Sequence, residues 1–203
     1  FSKIDFIFEI DQKILNFSDI KLALNKNNIL IPELVASKKN NDYLVSGKLD
    51  TINTIFKKNE INNFFRNDFI NLDIEKISFS SKNNFNFKIS NDFKFENLDI
   101  KSNIDLDNFN FRNSLKLKEI FPEIDENFIF KNHKIKLEYK KDNLIITGSG
   151  GILLQKEIDS INYEIQKNME EIRFKTKLKI TKNQLKIDTL NYKKNKNSDL
   201  ELR

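Results

Sequence analysis

The chain has 203 residues, of which 35 are basic and 30 acidic, so its net charge is +5, and it contains no cysteine. The lack of cysteine excludes disulfides and thiolate metal sites, and the longest apolar runs, such as Ile29–Ile31, are far shorter than the roughly 20 residues of a membrane-spanning helix. Because charges of both signs are interspersed, the composition predicts a solvated surface and no nucleic-acid partner.

The first 49 residues alternate between apolar and polar side chains. The alternation is clearest from Ile4 to Ile10, and shorter stretches follow up to Leu49. Successive side chains of a strand point to opposite faces, so a period of two predicts strands. The polar segments Asn25–Asn28 and Ser37–Asp42 are short enough to be hairpin turns. Residues 1–49 therefore predict an antiparallel meander.

Residues 50–68 interrupt this pattern. Apolar residues from Ile52 to Phe65 recur at three- and four-residue spacing, as on one face of a helix, and Asp50 or Thr51 could cap its start. We therefore predict one short amphipathic helix near residues 51–66. It would cover an open end of the sheet or, as a sharper alternative, lie on a membrane surface.

Alternation resumes over residues 69–118 in a series of strands that we expect to be about five to seven residues long. The tetrapeptide Asn-Leu-Asp-Ile occurs at Asn71–Ile74 and again, 26 positions later, at Asn97–Ile100. This offset is typical of a repeating hairpin array. Residues 119–132, which include Pro122, predict a loop.

The last block, residues 133–203, has the strongest pattern. Apolar residues alternate with basic ones from Ile172 to Ile180, which predicts a strand with one apolar and one cationic face. The neighbouring stretches repeat this design. The chain as a whole therefore predicts an all-β fold, a long antiparallel meander with one apolar face. The residues of this block that we place on that face are Ile135, Leu137, Tyr139, Ile161, Tyr163, Ile165, Ile172, Phe174, Leu178, Ile180, Leu185 and Ile187.

Groups that carry chemistry are sparse. Gly148–Gly151 superficially suggests a phosphate-binding loop, but neither the required Lys-Ser/Thr pair nor a helix follows it. We interpret these glycines as allowing a bulge, a strong twist or a close approach within a strand. His133 is the only histidine, and we expect it on the surface at a turn. The sequence thus predicts no catalytic residues, no metal site, no cofactor and no enzymatic activity.

Four basic residues lie on the cationic side of the strand, at Arg173, Lys175, Lys177 and Lys179. We interpret them as a solvated face that discourages aggregation. If they bind a ligand, lipid head groups fit better than nucleic acid, because no aromatic side chains share their face to stack with bases.

The apolar face requires a cover, because withdrawing each Phe, Ile or Leu from water contributes about 1.5–3 kcal/mol. A second sheet would cover it in an ordinary sandwich. Acyl chains would cover it if the sheet curls into a trough. Periodicity alone leaves both possibilities open.

A family resemblance favours the trough. The glycine-containing strand Ile146–Ile152 is followed by Ile161–Ile165, by the long alternating strand Phe174–Ile180, by Gln184–Asp188 and by a closing Leu190–Lys193. This order of pieces resembles the AsmA-like superfamily, the large bacterial envelope proteins of the YhdP and TamB type. The likeness is clearest over residues 134–194.

The resemblance implies a periplasmic sheet, curled into an elongated hydrophobic groove, that conducts phospholipid between the inner and outer membranes. It also implies an inner-membrane anchor outside this chain and an outer-membrane protein as a further partner. A start at Phe1 rather than Met fits a segment of a larger protein. The residues placed above on the apolar face would then line a path for acyl chains. The alternative is a dry-core scaffold for the assembly of envelope or outer-membrane proteins.

Overall fold

The computed structural model describes residues 3–11, 13–64, 73–112, 117–187 and 190–202. It confirms the all-β prediction, with one long antiparallel meander that forms an open sheet of eleven strands. The strands of this sheet are β1 Lys3–Asp11, β2 Ile14–Leu24, β3 Asn27–Lys39, β4 Asp42–Lys57, β5 Asp73–Ile89, β6 Phe95–Arg112, β7 Asn127–Lys140, β8 Asn143–Leu153, β9 Ile158–Lys167, β10 Ile172–Ile180 and β13 Leu200–Leu202. Between β10 and β13, the short strands β11 Leu185–Ile187 and β12 Tyr192–Lys194 form a separate pair.

The strands β1 to β10 follow one another across the sheet in chain order, and β13 lies beside β10. Because neighbouring strands in this order are antiparallel, odd-numbered connections meet at one end of the sheet and even-numbered ones at the other. We call the first the hairpin end. Its turn between β7 and β8 has positive φ at both Lys141 (49°) and Asp142 (61°), the conformation of a type I′ turn, whose twist matches that of the flanking strands.

The strands are longer than predicted. β5 has 17 residues and β6 has 18, and the polar segment 80–84, expected to separate two strands, lies within β5. The prediction was wrong because backbone pairing does not depend on apolar side chains. Ser80, Ser81 and Lys82 remain in register with β6. Of the repeated tetrapeptide, Asn71 and Leu72 lie outside the described residues.

Bulges keep the apolar residues on one side along these long strands. In β4, Thr51 lies opposite Ser81 but Thr54 opposite Phe79, so one extra residue near Asn53 (φ 48°) exchanges odd and even positions. Asn132 (φ 53°) does the same in β7. Asn tolerates this left-handed conformation better than most residues. The spacing of the apolar residues therefore changes at each bulge while their face does not.

The helix α1 spans only Lys58–Phe64, so the predicted start at residue 51 was wrong, and residues 65–66 lie outside the described part. Thr51–Lys57 continue β4. Their three-residue spacing arises from the Asn53 bulge rather than from a helical period. Ile61 is buried at 6 % exposure, and no helix among the described residues is long and apolar enough to cross a membrane.

The predicted loop at 119–132 is also shorter than expected, because β7 already begins at Asn127. Leu117–Glu119 form a 3₁₀ turn. The even-numbered end of the sheet carries α1, this loop and the chain segment 181–199, and we call it the capped end. The Asp125 N–H donates to the Leu154 carbonyl (2.8 Å), and Gln184 donates to Glu123 (2.6 Å), so this loop is tied to the β8–β9 connection and to the segment after β10.

Candidate functional site: one apolar face of the sheet

Cross-strand registers place the predicted apolar residues on a common face. Leu137 of β7 lies opposite Ile146 of β8, which lies opposite Ile165 of β9, which in turn lies opposite Phe174 of β10. Directly opposed residues project to the same side of a sheet. The residues in register with this row, and those an even number of positions from it along a strand when each bulge counts as one position, form what we call the apolar face.

Ten of the twelve predicted residues lie on the apolar face. They come from β7 (Ile135, Leu137, Tyr139), β9 (Ile161, Tyr163, Ile165) and β10 (Ile172, Phe174, Leu178, Ile180). Leu185 and Ile187 do not, because they belong to the separate pair β11–β12. β13 takes the place beside β10 that the sequence suggested for them.

The apolar face extends far beyond the residues that were assigned to it by number, which all come from the last block. One row runs without a break across ten strands: Phe8, Phe17, Leu34, Gly47, Phe85, Ile100, Tyr139, Leu144, Lys167 and Ile172. Nine of its ten members are uncharged, and Lys167 is the exception. The alternation in the first half of the chain contained this signal, but the registers that join the strands into one row could not be read from it.

The opposite face is polar and charged. Lys177 pairs with Glu201 (2.9 Å), Lys179 with Asp199 (2.9 Å) and Arg173 with Glu171 (2.7 Å). The predicted basic row is therefore solvated, and three of its four members have acidic neighbours, two of which come from β13 and the turn before it. This reduces the positive potential that a phosphate group would meet there.

No second layer covers the apolar face within the described residues, where strand contacts run mainly between sheet neighbours. Phe174 is 67 % exposed, whereas Ile161, Ile152 and Leu154 near the capped end are below 10 %. These three form a cluster against which Phe130 and Tyr163 pack. The apolar face is thus filled by protein at one corner and bare along the rest of the β10 side.

Glycines on the apolar face leave space for aromatic rings from the two neighbouring strands. A Cβ at Gly148 would overlap the Tyr163 ring, and one at Gly150 would overlap the His133 ring. Both glycines have ordinary negative φ. A close approach is found at both glycines, but it is made mainly by the Tyr163 and His133 rings and not by backbone as expected. No phosphate-binding geometry follows them, since β8 continues through Gly151.

His133 is buried at 1 % exposure, so its predicted place at a surface turn was wrong. The bulge at Asn132 turns its ring onto the apolar face, where it stacks on Phe130 with 4.7 Å between ring centroids. Its Nε2 hydrogen-bonds the Gly151 carbonyl (2.9 Å), and its Nδ1 has no partner. Burial lowers the pKa of His133, which keeps the ring neutral.

A small hydroxyl cluster interrupts the apolar face at its middle. Thr51 Oγ1 and Ser81 Oγ hydrogen-bond each other at 2.9 Å, and the Asn83 side-chain amide donates to Ser81 (2.9 Å) and to the Leu49 carbonyl (2.6 Å). Ser102 lies next to them at 7 % exposure. These polar groups largely satisfy one another, as buried polar groups must.

A concavity of about 970 Å³ spans β6 to β10. Its border includes Ile135, Tyr163 and Phe174 together with charged residues such as Lys136 and Lys175. Burial raises the pKa of Tyr163 to about 12, so its phenol stays neutral. The concavity therefore offers the apolar surface of Ile135, Tyr163 and Phe174 to a ligand.

The capped end contains a polar network that sequence reasoning missed. The Lys194 ammonium is 4 % exposed and donates to the carbonyls of Asn183 (2.6 Å), Asn195 (3.0 Å) and Thr181 (3.1 Å). The Asp159 carboxylate accepts from the Asn183 side chain and from the backbone N–H of Thr181 (2.8 Å). One lysine among many carries no sequence signal for such a role.

The described residues hold no group of three or more His, Asp or Glu side chains placed to bind a metal ion. A scan against protein-family models finds no match for this chain, and searches among curated proteins and solved structures find none either.

Proposed function

We propose that this chain is a lipid-conducting segment of a bacterial envelope protein of the AsmA-like type. Acyl chains would lie along the apolar face, and head groups would remain in water. Movement along it would be passive, because no catalytic group is needed to slide a chain over an apolar surface. Localisation in the periplasm and attachment to the inner membrane through a segment outside this chain belong to the same proposal.

The observation that carries the proposal is the row of side chains from Phe8 to Ile172, which crosses ten strands with one charged member. Soluble proteins rarely expose contiguous apolar patches of more than a few hundred Å². A face of this extent therefore calls for an apolar ligand or partner. A flexible acyl chain fits a long, continuous surface better than a compact ligand does.

A dry-core scaffold for envelope assembly is the second candidate. The cluster of Ile152, Leu154 and Ile161 at the capped end favours it, since protein already fills that corner. A partner protein that continued this packing along the sheet would leave no room for lipid. The two candidates therefore differ in what covers Phe174.

Native mass spectrometry of the chain, purified without detergent from cells, separates them. The lipid proposal predicts adducts whose masses equal those of phospholipids, lost in Phe174→Asp and retained in Lys136→Asp, which places the same charge on the opposite face. A lipid-free chain, or adducts unchanged in Phe174→Asp, would contradict the proposal and leave the scaffold.

A further inference from the structure

The two edges of the sheet are complementary in charge. β1 is the terminal strand on one side and carries Glu9 and Asp11 on the polar face. On the other side, β13 pairs only with Leu178–Ile180, so within the described chain residues 172–177 of β10 pair with β9 on one side and have no strand on their outer side. This stretch carries Arg173 and Lys175 on the same polar face.

Four apolar side chains at the two edges of the apolar face are more than half exposed. Phe8 is 56 % and Ile10 68 % exposed on β1, and Ile172 is 52 % and Phe174 67 % exposed on β10. Each lacks the flanking strand whose side chains would cover it. A strand added at either edge would bury apolar area and satisfy backbone groups at once.

The directions of the two edge strands also fit. The β1–β2 and β9–β10 turns both lie at the hairpin end, so β1 runs toward that end and β10 away from it. A copy placed beside another in the same orientation therefore brings β1 antiparallel to β10. With Ile10 opposite Phe174, Asp11 lies opposite Arg173 and Glu9 opposite Lys175, and the apolar faces are continuous.

We propose that copies of this chain associate edge to edge, with β1 of one copy pairing with residues 172–177 of β10 in the next. Like edges are excluded, since β1 against β1 opposes acids and β10 against β10 opposes bases. Because the two contacting surfaces differ, the contact is head-to-tail, and it generates rings or open series of copies. The inference does not depend on the identity of what covers the apolar face.

Sedimentation velocity of the full chain tests this with charge reversals. We expect the wild-type chain to form oligomers that grow with concentration and shrink in roughly 0.5 M NaCl, where surface charges are screened. Glu9→Lys/Asp11→Lys makes both edges basic, and Arg173→Glu/Lys175→Glu makes both acidic. Each double variant alone should associate at least about tenfold more weakly than wild type, since two attractive pairs become repulsive.

An equimolar mixture of the two double variants should associate again, because each basic edge then meets an acidic one. This result would also show that both variants are folded. The control Asp105→Lys/Glu138→Lys changes the net charge equally on inner strands and should behave as wild type. A monomer at every concentration, a closed dimer that survives the reversals, or a mixture that stays monomeric would overturn the inference.

Discussion

The contrast between Phe174 and Ile161 provides the sharpest prediction. Both lie on the apolar face, but Phe174 is 67 % exposed and Ile161 is 8 % exposed. Truncating each to alanine removes a large apolar side chain from the same surface. The two changes should nevertheless act on different properties, because only one of the side chains is covered by protein.

The magnitudes follow from these exposures. Burying a whole Phe side chain contributes about 1.5–3 kcal/mol, and only a third of Phe174 is buried, so Phe174→Ala should cost about 0.5–1 kcal/mol of folding stability. Ile161 packs against Ile152 and Leu154, and Ile→Ala in such a site costs about 2–4 kcal/mol, including the cavity that is left.

Lipid affinity should respond in the opposite order. If an acyl chain covers the exposed two thirds of Phe174, the ring contributes about 1–2 kcal/mol to binding, so Phe174→Ala should raise the dissociation constant of a fluorescent phospholipid about 5- to 30-fold. Phe93→Ala is a matched control, because Phe93 is 81 % exposed in the turn between β5 and β6 and lies outside the strands.

Urea unfolding and lipid titration of the three variants supply the two readouts. The account predicts stability lost in Ile161→Ala, lipid affinity lost in Phe174→Ala and neither lost in Phe93→Ala. If Phe174→Ala lost as much stability as Ile161→Ala, the ring would be covered by protein. If it left the lipid affinity unchanged, the exposed ring would not contact lipid. Either outcome refutes the reasoning.

Three further predictions concern how the apolar face and its cap are held. Because burial lowers the folded-state pKa of His133, folding stability should fall as the pH drops below the unfolded-state pKa of about 6.5, by up to about 1.4 kcal/mol per pH unit. In urea unfolding between pH 7.5 and 5.5, the stability of His133→Gln should therefore depend less steeply on pH than that of the wild type. Equal pH dependence in the two proteins would contradict a neutral buried ring. Lys194→Met leaves three carbonyls without their donor and should cost about 2–4 kcal/mol of folding stability. Lys193 is exposed, so the stability of Lys193→Met should stay within about 0.5 kcal/mol of the wild type. Equal losses in the two variants would contradict a stabilising role for the Lys194 network. Gly148→Val places a side chain where the Tyr163 ring lies, so it should cost about 1–3 kcal/mol of folding stability and lower the midpoint of thermal unfolding. An unchanged midpoint would show that the ring moves freely aside.

The sequence was sufficient for the fold class and for which residues of β7, β9 and β10 share a side. Alternation with a period of two survives in the structure because backbone pairing preserves it, which is why Ile135 and Phe174 lie on one face as expected. The alternation does not show, however, which residues of neighbouring strands lie opposite one another. The extension of the apolar face to Phe8 became visible only when the strands were paired.

The failures have a common physical cause. A bulge adds one residue and exchanges odd and even positions, so the strand around Asn53 gave the spacing of a helix. His133, expected at a surface turn, instead lies within β7, where the bulge at Asn132 brings it onto the apolar face together with Ile135. A single Asn in the left-handed conformation costs little free energy and leaves little trace in the sequence. It nevertheless reverses the face to which every later side chain of the strand points.

The polar ties at the capped end were less predictable still. The ties among Asp159, Asn183 and Lys194 connect positions up to 35 apart along the chain, and each residue type is common in this lysine- and asparagine-rich sequence. They hold the segment 181–199 at the capped end. Leu185 was misplaced, because it pairs with Lys194 in the separate pair β11–β12 and not with the main sheet, and it is buried there at 3 % exposure.

Site-specific photo-crosslinking in living cells tests the central claim most directly. A benzophenone amino acid at Leu137 points to the apolar face, and one at the adjacent Lys136 points to the opposite face. The account predicts that Leu137 captures phospholipid and that Lys136 does not. Capture of protein alone at Leu137, or equal capture of lipid at both positions, would contradict it.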